Sequence, residues 1–318
     1  MTYWLRYMPG FFPHGVVFGS EPKSEGWFRV NMANVDRSVP LWAASTVAAL
    51  SRDRPAVVTT KIIGEYLSEA GSDRDAARVA SDLQQLGWLS TLHVKGAWAF
   101  VPAGEERPSD PYLDLRGWQA RDRDAVFALA GEAACWHLGY LPRRYLGTVA
   151  VWLPKGQRVA HGLRSQVSIV RIGWDTTEVG ALGPTSKLLR AKRLDLTAWA
   201  SGLPALGPDA VLVQLAVRPS SFRVWADLVG QLQTLADDCD PAMVAALLAD
   251  QSASAWQRAA YLLDRGGRHH DALGLLANGS SGSMPAAQLG EGTEAIWSNE
   301  FHVNDHVVAP LQRQLGKA

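Results

Sequence analysis

The chain lacks the features that would support export, a membrane span or a disulfide framework. Its 318 residues include only two cysteines, Cys135 and Cys239. Two isolated cysteines make neither a disulfide framework nor a zinc site, so a reducing compartment is expected. No apolar run reaches the roughly 18 residues of a spanning helix, and no basic segment followed by an apolar one opens the chain. We therefore expect a cytoplasmic protein with no membrane partner.

An excess of charge of one sign is also missing. Lysine and arginine number 31, aspartate and glutamate also number 31, and the formal net charge is +0. The chain is not a polycation, so any nucleic-acid binding must come from a local basic patch. Because 47% of the residues are hydrophobic, there is enough apolar surface for folded cores, and the length predicts two domains.

Motifs of catalysis and cofactor binding are absent as well. There is no Gly-x-Ser-x-Gly, no Gly-rich phosphate loop ending in Lys-Ser or Lys-Thr, and no His-Glu-x-x-His. His269 and His270 are adjacent, and adjacent side chains on a helix point about 100° apart, which favours a surface pair over a metal site. His302 and His306 would share a strand face but lie too far apart to ligate one ion. We expect no catalytic residue, no metal and no cofactor.

The first stretch of the chain has no regular period. Residues 1–38 mix aromatic residues with proline and glycine, and Met32 comes shortly before the first clear helix. We predict that 1–38 is a peripheral segment without stable order, with Met32 as an alternative start of the functional chain.

Residues 39–102 have the periodicity of three helices followed by a β-hairpin. An alanine-rich helix is predicted over 41–50, and Thr59 or Thr60 caps a second helix. A third helix is predicted to begin at a Ser72 cap, and strands over 88–94 and 97–101 follow. The apolar stripe of the third helix consists of Ala76, Val79, Ala80, Leu83 and Leu86. This order is that of a winged helix-turn-helix domain.

The outward face of the third helix carries residues that can read base edges. Arginine can read guanine, glutamine can read adenine, and serine accepts several partners. The start of the second helix can contact phosphate, and the hairpin tip can contact the backbone or minor groove. The candidate contacts to double-stranded DNA are Thr59, Thr60, Lys61, Ser72, Arg74, Arg78, Ser81, Gln85, His93 and Lys95.

The same pattern also fits a solvated face or a protein-contact module. Residues 41–101 hold six basic and six acidic residues, so they supply no net positive charge. Non-specific affinity for DNA comes from neutralising phosphates, which a balanced count does not favour.

After a linker over 103–111, residues 112–318 form the second predicted domain. A helix over 123–139 is followed by strands near 148–153 and 166–174 and around 188–196. A further strand is expected within 295–308. Between the strand around 188–196 and this last strand, helices are predicted over 209–217, 220–237, 241–249, 254–264 and 269–277. Strands first and helices afterwards indicate an α+β fold, with a helical second half in this domain.

Charge is unevenly distributed in the second domain. Residues 143–193 hold ten basic and two acidic residues, a net charge of +8, whereas 235–310 hold ten acidic and three basic, a net charge of −7. A basic surface of this kind suits an acidic partner or a nucleic acid, unless the two halves neutralise each other within the fold. We call the following residues the basic belt: Arg143, Arg144, Lys155, Arg158, Arg164, Lys187, Arg190, Lys192 and Arg193.

Long collinear segments from about Asp36 to Ala318 resemble one protein family. They include Arg52-Asp53-Arg54-Pro55, Leu86-Gly87-Trp88-Leu89, Val94-Lys95-Gly96-Ala97-Trp98-Ala99-Phe100, Ala134-Cys135-Trp136-His137-Leu138-Gly139, Gly202-Leu203-Pro204-Ala205-Leu206 and Ser254-Ala255-Trp256-Gln257-Arg258-Ala259. The chain resembles the AbiEi-type antitoxins of bacterial toxin–antitoxin systems, especially their long mycobacterial and actinobacterial members.

The resemblance implies two activities. The winged domain would bind inverted repeats in the promoter of its own operon and repress it. The C-terminal domain would counteract a toxin with a nucleotidyltransferase fold, by direct contact or indirectly. The alternative is a stand-alone winged-helix repressor whose second domain senses a small ligand, which requires a pocket with convergent polar groups.

Overall fold

The structure, a computed structural model, describes residues 27–30, 37–106, 108, 110–122, 125–154, 156–174, 203–279 and 284–316. Two compact units divide between Arg123 and Asp124. Helices and strands are mixed in the described residues, which is consistent with the predicted α+β class. The two units are called the N-terminal and the C-terminal unit.

The first described elements form a strand pair. Strand β1 (Trp27–Val30) runs antiparallel to β2 (Arg37–Pro40). The prediction of no stable order over 1–38 is therefore wrong at β1, because its backbone is paired with β2. Residues 1–26 and 31–36, Met32 among them, lie outside the described residues.

Three helices and a small sheet follow β2. A 3-10 turn, Leu41–Ala43, leads into α1, and the remaining elements are α1 (Ala44–Asp53), β3 (Val58–Thr59), α2 (Thr60–Glu69), α3 (Ala76–Gln85), β4 (Leu89–Thr91) and β5 (Ala97–Phe100). Both β3 and β4 pair antiparallel with β5. Helix α1 begins and ends three residues later than predicted. It ends where Arg54 adopts a left-handed φ of 43° and donates its N–H to the Leu50 carbonyl.

The cap of α2 is where it was predicted, and the cap of α3 is not. The Thr59 hydroxyl accepts a hydrogen bond from the Ile62 amide at 3.4 Å. Helix α3, in contrast, is capped by Asp75, whose carboxylate accepts from the Arg78 amide at 2.8 Å. The prediction of a Ser72 cap is wrong, because the Ser72 amide donates to the Leu67 carbonyl and so closes α2.

The stripes predicted from periodicity form the core of the N-terminal unit. Leu50, Ile63 and Leu83 are fully buried, one from each of the three helices. The buried rings of Trp88 and Phe100 stack in the same core, with centroids 6.4 Å apart. Each helix thus presents one apolar face to the others, and its opposite face to solvent.

Helix α4 (Leu113–Arg121) belongs to the N-terminal unit, since it packs on β5. Its close approach depends on Gly117, where a Cβ would lie 3.0 Å from Leu92 Cδ1 and 3.4 Å from Ala97 Cβ. The division between the units consequently falls later than the predicted linker over 103–111.

The C-terminal unit begins with short elements rather than with a long helix. The predicted helix over 123–139 is replaced by β6 (Ala128–Leu129) and α5 (Gly131–His137). Gly131, the first residue of α5, has a φ of 52°, a left-handed conformation that glycine adopts readily. Strand β6 pairs antiparallel with β7 (Val149–Trp152), which pairs in parallel with β8 (Val167–Val170). The prediction of strands near 148–153 and 166–174 is confirmed, whereas 188–196 lies outside the described residues.

The rest of this unit is helical, with a second small sheet. Its elements are α6 (Pro208–Val217), α7 (Trp225–Val229), α8 (Leu232–Asp238), α9 (Pro241–Leu248), α10 (Ala253–Arg265), α11 (His269–Gly279), β9 (Ala287–Leu289), β10 (Ile296–Ser298), β11 (Val303–Asp305) and α12 (Val308–Leu315), with 3-10 turns at His161–Leu163 and Pro219–Ser221. Strand β11 is antiparallel to β10 and parallel to β9.

Four of the five helices predicted here are confirmed, and the fifth is broken. The segment 220–237 is divided among a 3-10 turn, α7 and α8, because Val224 and Gln231 leave the helical region. The predicted terminal strand is a hairpin, β10 and β11, followed by α12. Helix α6 is buried along nearly its whole length and forms the centre of the core.

A buried carboxylate ties the end of the chain to this core. Asp305 is fully buried and accepts hydrogen bonds from the Tyr261 hydroxyl and from the amides of Val307, Val308 and Ala309, at 2.6–2.9 Å. Burial raises the pKa of the Tyr261 hydroxyl, which stays protonated and donates. The start of α12 is thus held by a residue of β11 that is itself held by α10.

The cap of α3 yields a test. We expect Asp75→Ala to lower the local free energy of unfolding of α3 by about 1 kcal/mol, since the Arg78 amide loses its acceptor. Native-state hydrogen exchange of the α3 amides measures this. Ser72→Ala is the matched control, with an expected change under about 0.5 kcal/mol. Equal losses in the two variants would contradict the assignment of the cap to Asp75.

Candidate nucleic-acid interface

The outward face of α3 is polar and open to solvent. Val79 and Leu83 are buried on the inner side of the helix, whereas Arg78, Ser81 and Gln85 are exposed. Spacings of three, four and seven place these three side chains on one face of the helix. In the part of the chain that the structure describes, no carboxylate pairs with Arg78. The face therefore offers one unpaired guanidinium together with a hydroxyl and an amide.

Arg74 was predicted to continue this face, and it does not. It precedes the Asp75 cap and so lies outside the helix, with its guanidinium 4.6 Å from the centre of the Trp42 ring. This distance is typical of a cation–π contact. Arg74 thus places its charge beside the 3-10 turn before α1, near the start of α3.

At the start of α2, the predicted contacts take different roles. Thr59 is buried and its hydroxyl already accepts from the Ile62 amide, so it caps the helix. Thr60 is partly exposed, and Lys61 is exposed with its Nζ 3.7 Å from Glu65 Oε1. An exposed pair of this kind contributes little stability, so the Lys61 ammonium stays available. Ser72 is partly exposed, and its amide is used in closing α2.

The hairpin tip is held by α4. Lys95 is exposed at a turn closed by the Ala97 amide, which donates to the Val94 carbonyl at 3.2 Å. The His93 amide donates to Asp114 Oδ1 at 2.7 Å, and the His93 ring Nδ1 lies 2.9 Å from Asp114 Oδ2. His93 was predicted as a DNA contact. In the structure it anchors the hairpin on α4, and Lys95 is left at the tip.

In the C-terminal unit the basic belt is only partly described. Arg143, Arg158 and Arg164 are exposed and Arg144 is partly exposed. The remaining belt residues, Lys155, Lys187, Arg190, Lys192 and Arg193, lie outside the described residues. Whether the belt forms one surface therefore stays a prediction.

The loop after α5 combines charge with exposed apolar surface. Arg143 and Arg144 line a pocket of about 310 Å³ together with Val224 and Asp227. Arg143 Nη2 lies 3.8 Å from Asp227 Oδ2, and Leu146 at the loop is 84% exposed. We call residues 141–147 the arginine loop.

The described histidines of the C-terminal unit make separate contacts. His302 and His306 flank β11 rather than lying on it, and His302 has a φ of 52°, so the premise of a shared strand face was wrong. His306 Nε2 lies 3.0 Å from Gln288 Oε1. His269 Nδ1 lies 2.7 Å from Asp264 Oδ1, a hydrogen bond that raises the pKa of His269. Among the described residues, no three metal-ligating side chains come together.

Both cysteines are buried and free of disulfide bonds. Burial raises the pKa of the thiols of Cys135 and Cys239, which disfavours the thiolate that a nucleophile or a metal ligand requires.

Comparisons with known proteins support a family assignment. The model of the AbiEi antitoxin C-terminal domain matches residues 125–265, which begin at the boundary between the two units. The crystal structure of the RV2827C protein from Mycobacterium tuberculosis has 48% sequence identity and a TM-score of 0.77, over 88% of this chain and 97% of that chain. The chain belongs to the AbiEi antitoxin family. No curated protein matches it.

The AbiEi match covers most of the C-terminal unit. It includes the arginine loop, α6 and the helices up to the end of α10. The helices in the described ranges are too short or too polar to cross a bilayer.

The sequence did not reveal the role of α4 in this family member. Asp114 follows the predicted linker, and its partner His93 lies 21 positions earlier, so no local pattern connects them. The signal that was available is the glycine of Leu115-Arg116-Gly117-Trp118, since a glycine inside a helix often marks a close approach.

The contact between α4 and the hairpin yields a second test. Asp114→Ala leaves the His93 amide without its acceptor, and we expect the hairpin to lose about 1 kcal/mol of local stability. Faster hydrogen exchange of the His93 amide measures the loss. Asp73→Ala, which removes an exposed carboxylate before α3, should leave that exchange rate unchanged. Unaltered protection of His93 in Asp114→Ala would show that α4 does not hold the tip.

Proposed function

We propose that this AbiEi family member is a DNA-binding antitoxin that represses its own operon. In this proposal the N-terminal unit is a winged helix-turn-helix, with α3 as the recognition helix and the β4–β5 hairpin as the wing. The observation that carries it is the outward face of α3, where Arg78, Ser81 and Gln85 are exposed on one side of a helix whose other side is buried.

These three side chains have the chemistry of base readout. An arginine can donate two hydrogen bonds to guanine O6 and N7, and a glutamine can pair with adenine in the same way. An α-helix fits the major groove of B-DNA, so side chains on its outward face reach the base edges. Arg78 is the strongest candidate, because its guanidinium has no carboxylate partner among the described residues.

Contacts to phosphate would flank this face. The amides at the start of α2 attract anions through the helix dipole, and Thr60 and Lys61 lie at that end. Lys95 at the wing tip would contact the backbone or the minor groove. Basic and acidic residues balance over 41–101, so the affinity for DNA would depend on these few exposed cations. It would therefore fall as the salt concentration rises. An inverted-repeat operator would take two copies of the chain.

Binding of the full chain to a labelled fragment of its own upstream region tests the proposal. Arg78→Ala should weaken binding to that fragment by about 1–3 kcal/mol and should affect a scrambled fragment much less. Lys95→Ala should weaken binding to both fragments by the same factor. It should also reduce the slope of log K for binding against log salt concentration by about 0.9.

Arg52→Ala is the matched control for these variants. It removes an exposed arginine that Asp53 already neutralises at 2.7 Å, so both affinities should stay unchanged. Absence of wild-type binding at low salt would refute DNA binding and leave the N-terminal unit as a protein-contact module.

The C-terminal unit is proposed to counteract a nucleotidyltransferase-like toxin, and the match to the AbiEi antitoxin domain supports this. The arginine loop is the candidate contact, because it joins two arginines to the exposed Leu146. An acidic partner surface with an apolar centre would complement it.

Co-expression with a toxin encoded beside this chain tests the second activity. The wild-type chain should restore growth, and Arg143→Glu/Arg144→Glu should abolish both the rescue and co-purification of the toxin. Arg158→Glu/Arg164→Glu makes the same change of charge at two other exposed residues of the basic belt. Retention of rescue and of co-purification in this variant would assign the contact to the arginine loop, and loss of both would extend the contact along the belt.

The results also separate the remaining modes of action. Rescue by the wild type without co-purification would mean that neutralisation is indirect. Lack of rescue by the wild type would favour a stand-alone repressor.

A further inference from the structure

The last turn of α4 places an arginine on the wing turn. Arg121 Cζ, Nε and Nη2 lie 3.4, 3.5 and 3.7 Å from the point that a Cβ on Gly96 would occupy. Three guanidinium atoms at nearly equal distances mean that the plane of the group lies flat against the glycine. A residue of α4 is thereby brought beside Lys95, the exposed residue of the turn.

The backbone of the turn requires glycine at position 96. Its φ of 76° is left-handed, as the third position of a type II turn requires. A Cβ there would lie at ordinary van der Waals distance from Arg121, so the positive φ, and not a lack of space, favours glycine.

The position of Arg121 is determined by α4 as a whole. Asp114, Gly117 and Arg121 follow each other at spacings of three and four, so they share one face of the helix. Asp114 binds the His93 amide, and Gly117 allows the close approach to Leu92 and to Ala97 of β5. Arg121 lies one further turn along the same face, against the tip of the hairpin.

Among the described residues of the N-terminal unit, no carboxylate neutralises the charge of Arg121. Arg116, on the same helix, forms an ion pair with Asp110 at 2.6 Å. Arg121 is exposed, and among the described residues no carboxylate lies within ion-pair distance of it. Lys95 at the same turn has no ion-pair partner there either. Two cations beside one glycine repel each other unless an anion lies between or above them.

We propose that Arg121 and Lys95 together bind a phosphate of the DNA backbone at the wing tip. The inference rests on the proposed DNA binding and adds to it a contact from α4, outside the winged domain as the sequence delimited it. A guanidinium can donate two hydrogen bonds to one phosphate, whereas the lysine supplies a point charge beside it. Such a contact carries no sequence information and positions the wing on the duplex.

The experiment measures binding of the full chain to its upstream fragment and to a scrambled fragment between 50 and 200 mM salt. Arg121→Ala should weaken binding to both fragments by the same factor. Over this range the wild type should lose about 3.5-fold more affinity than the variant, the effect expected for one phosphate contact. Arg121→Lys keeps the charge and should keep the salt slope. Arg52→Ala serves as the control again.

A thermal melt of each variant separates binding from folding. If Arg121→Ala retains the wild-type salt slope on both fragments, the inference is overturned, and a lowered melting temperature would then assign Arg121 to holding the turn. If Arg121→Ala lowers affinity for the upstream fragment alone, Arg121 reads bases and the phosphate contact is refuted. If the wild type binds neither fragment, the proposed DNA binding itself fails. If the wild type binds and Arg121→Ala binds with the same affinity and salt slope, only the role of Arg121 is refuted.

Discussion

The close approach of α4 to the β4–β5 hairpin makes α4 the last described helix of the N-terminal unit. It also brings Arg121 to the exposed tip of the hairpin. Gly117 leaves no side chain between the helix and Leu92, so the two elements can pack directly. On either side of that contact, Asp114 holds the His93 amide and Arg121 lies on Gly96. Strand β3 extends the hairpin to a three-stranded sheet, and α4 adds a further packed surface to it.

Local patterns sufficed for the helices of the N-terminal unit. The stripe predicted for α3 is buried at Val79, Ala80 and Leu83 and partly buried at Ala76 and Leu86, and Thr59 caps α2. The start of α3 could not be settled in this way, because Ser72 and Asp75 are both good caps and stand three residues apart. The choice depends on the end of α2, where Gly71 turns left-handed and the Ser72 amide is used to close that helix.

The candidate interface was predictable where it follows helical periodicity, and unpredictable where distant residues meet. The exposure of Arg78, Ser81 and Gln85 follows from the buried positions between them. The stacking of Arg74 on Trp42 joins two segments separated by α1 and α2, and no sequence pattern indicates it. In the C-terminal unit, the helix predicted across 123–139 failed because Gly131 interrupts it with a positive φ.

The bonds of Asp305 have a consequence for the order in which the chain acquires its structure during synthesis. The described elements of the N-terminal unit end with Arg121, so this unit can fold while the ribosome is still translating the other. The C-terminal core, in contrast, includes Ala128 at one end and Val308 at the other, and the Tyr261 hydroxyl finds its acceptor only when Asp305 has been added. Contacts between such distant residues form slowly. We therefore expect the N-terminal unit to reach its native state before the C-terminal one.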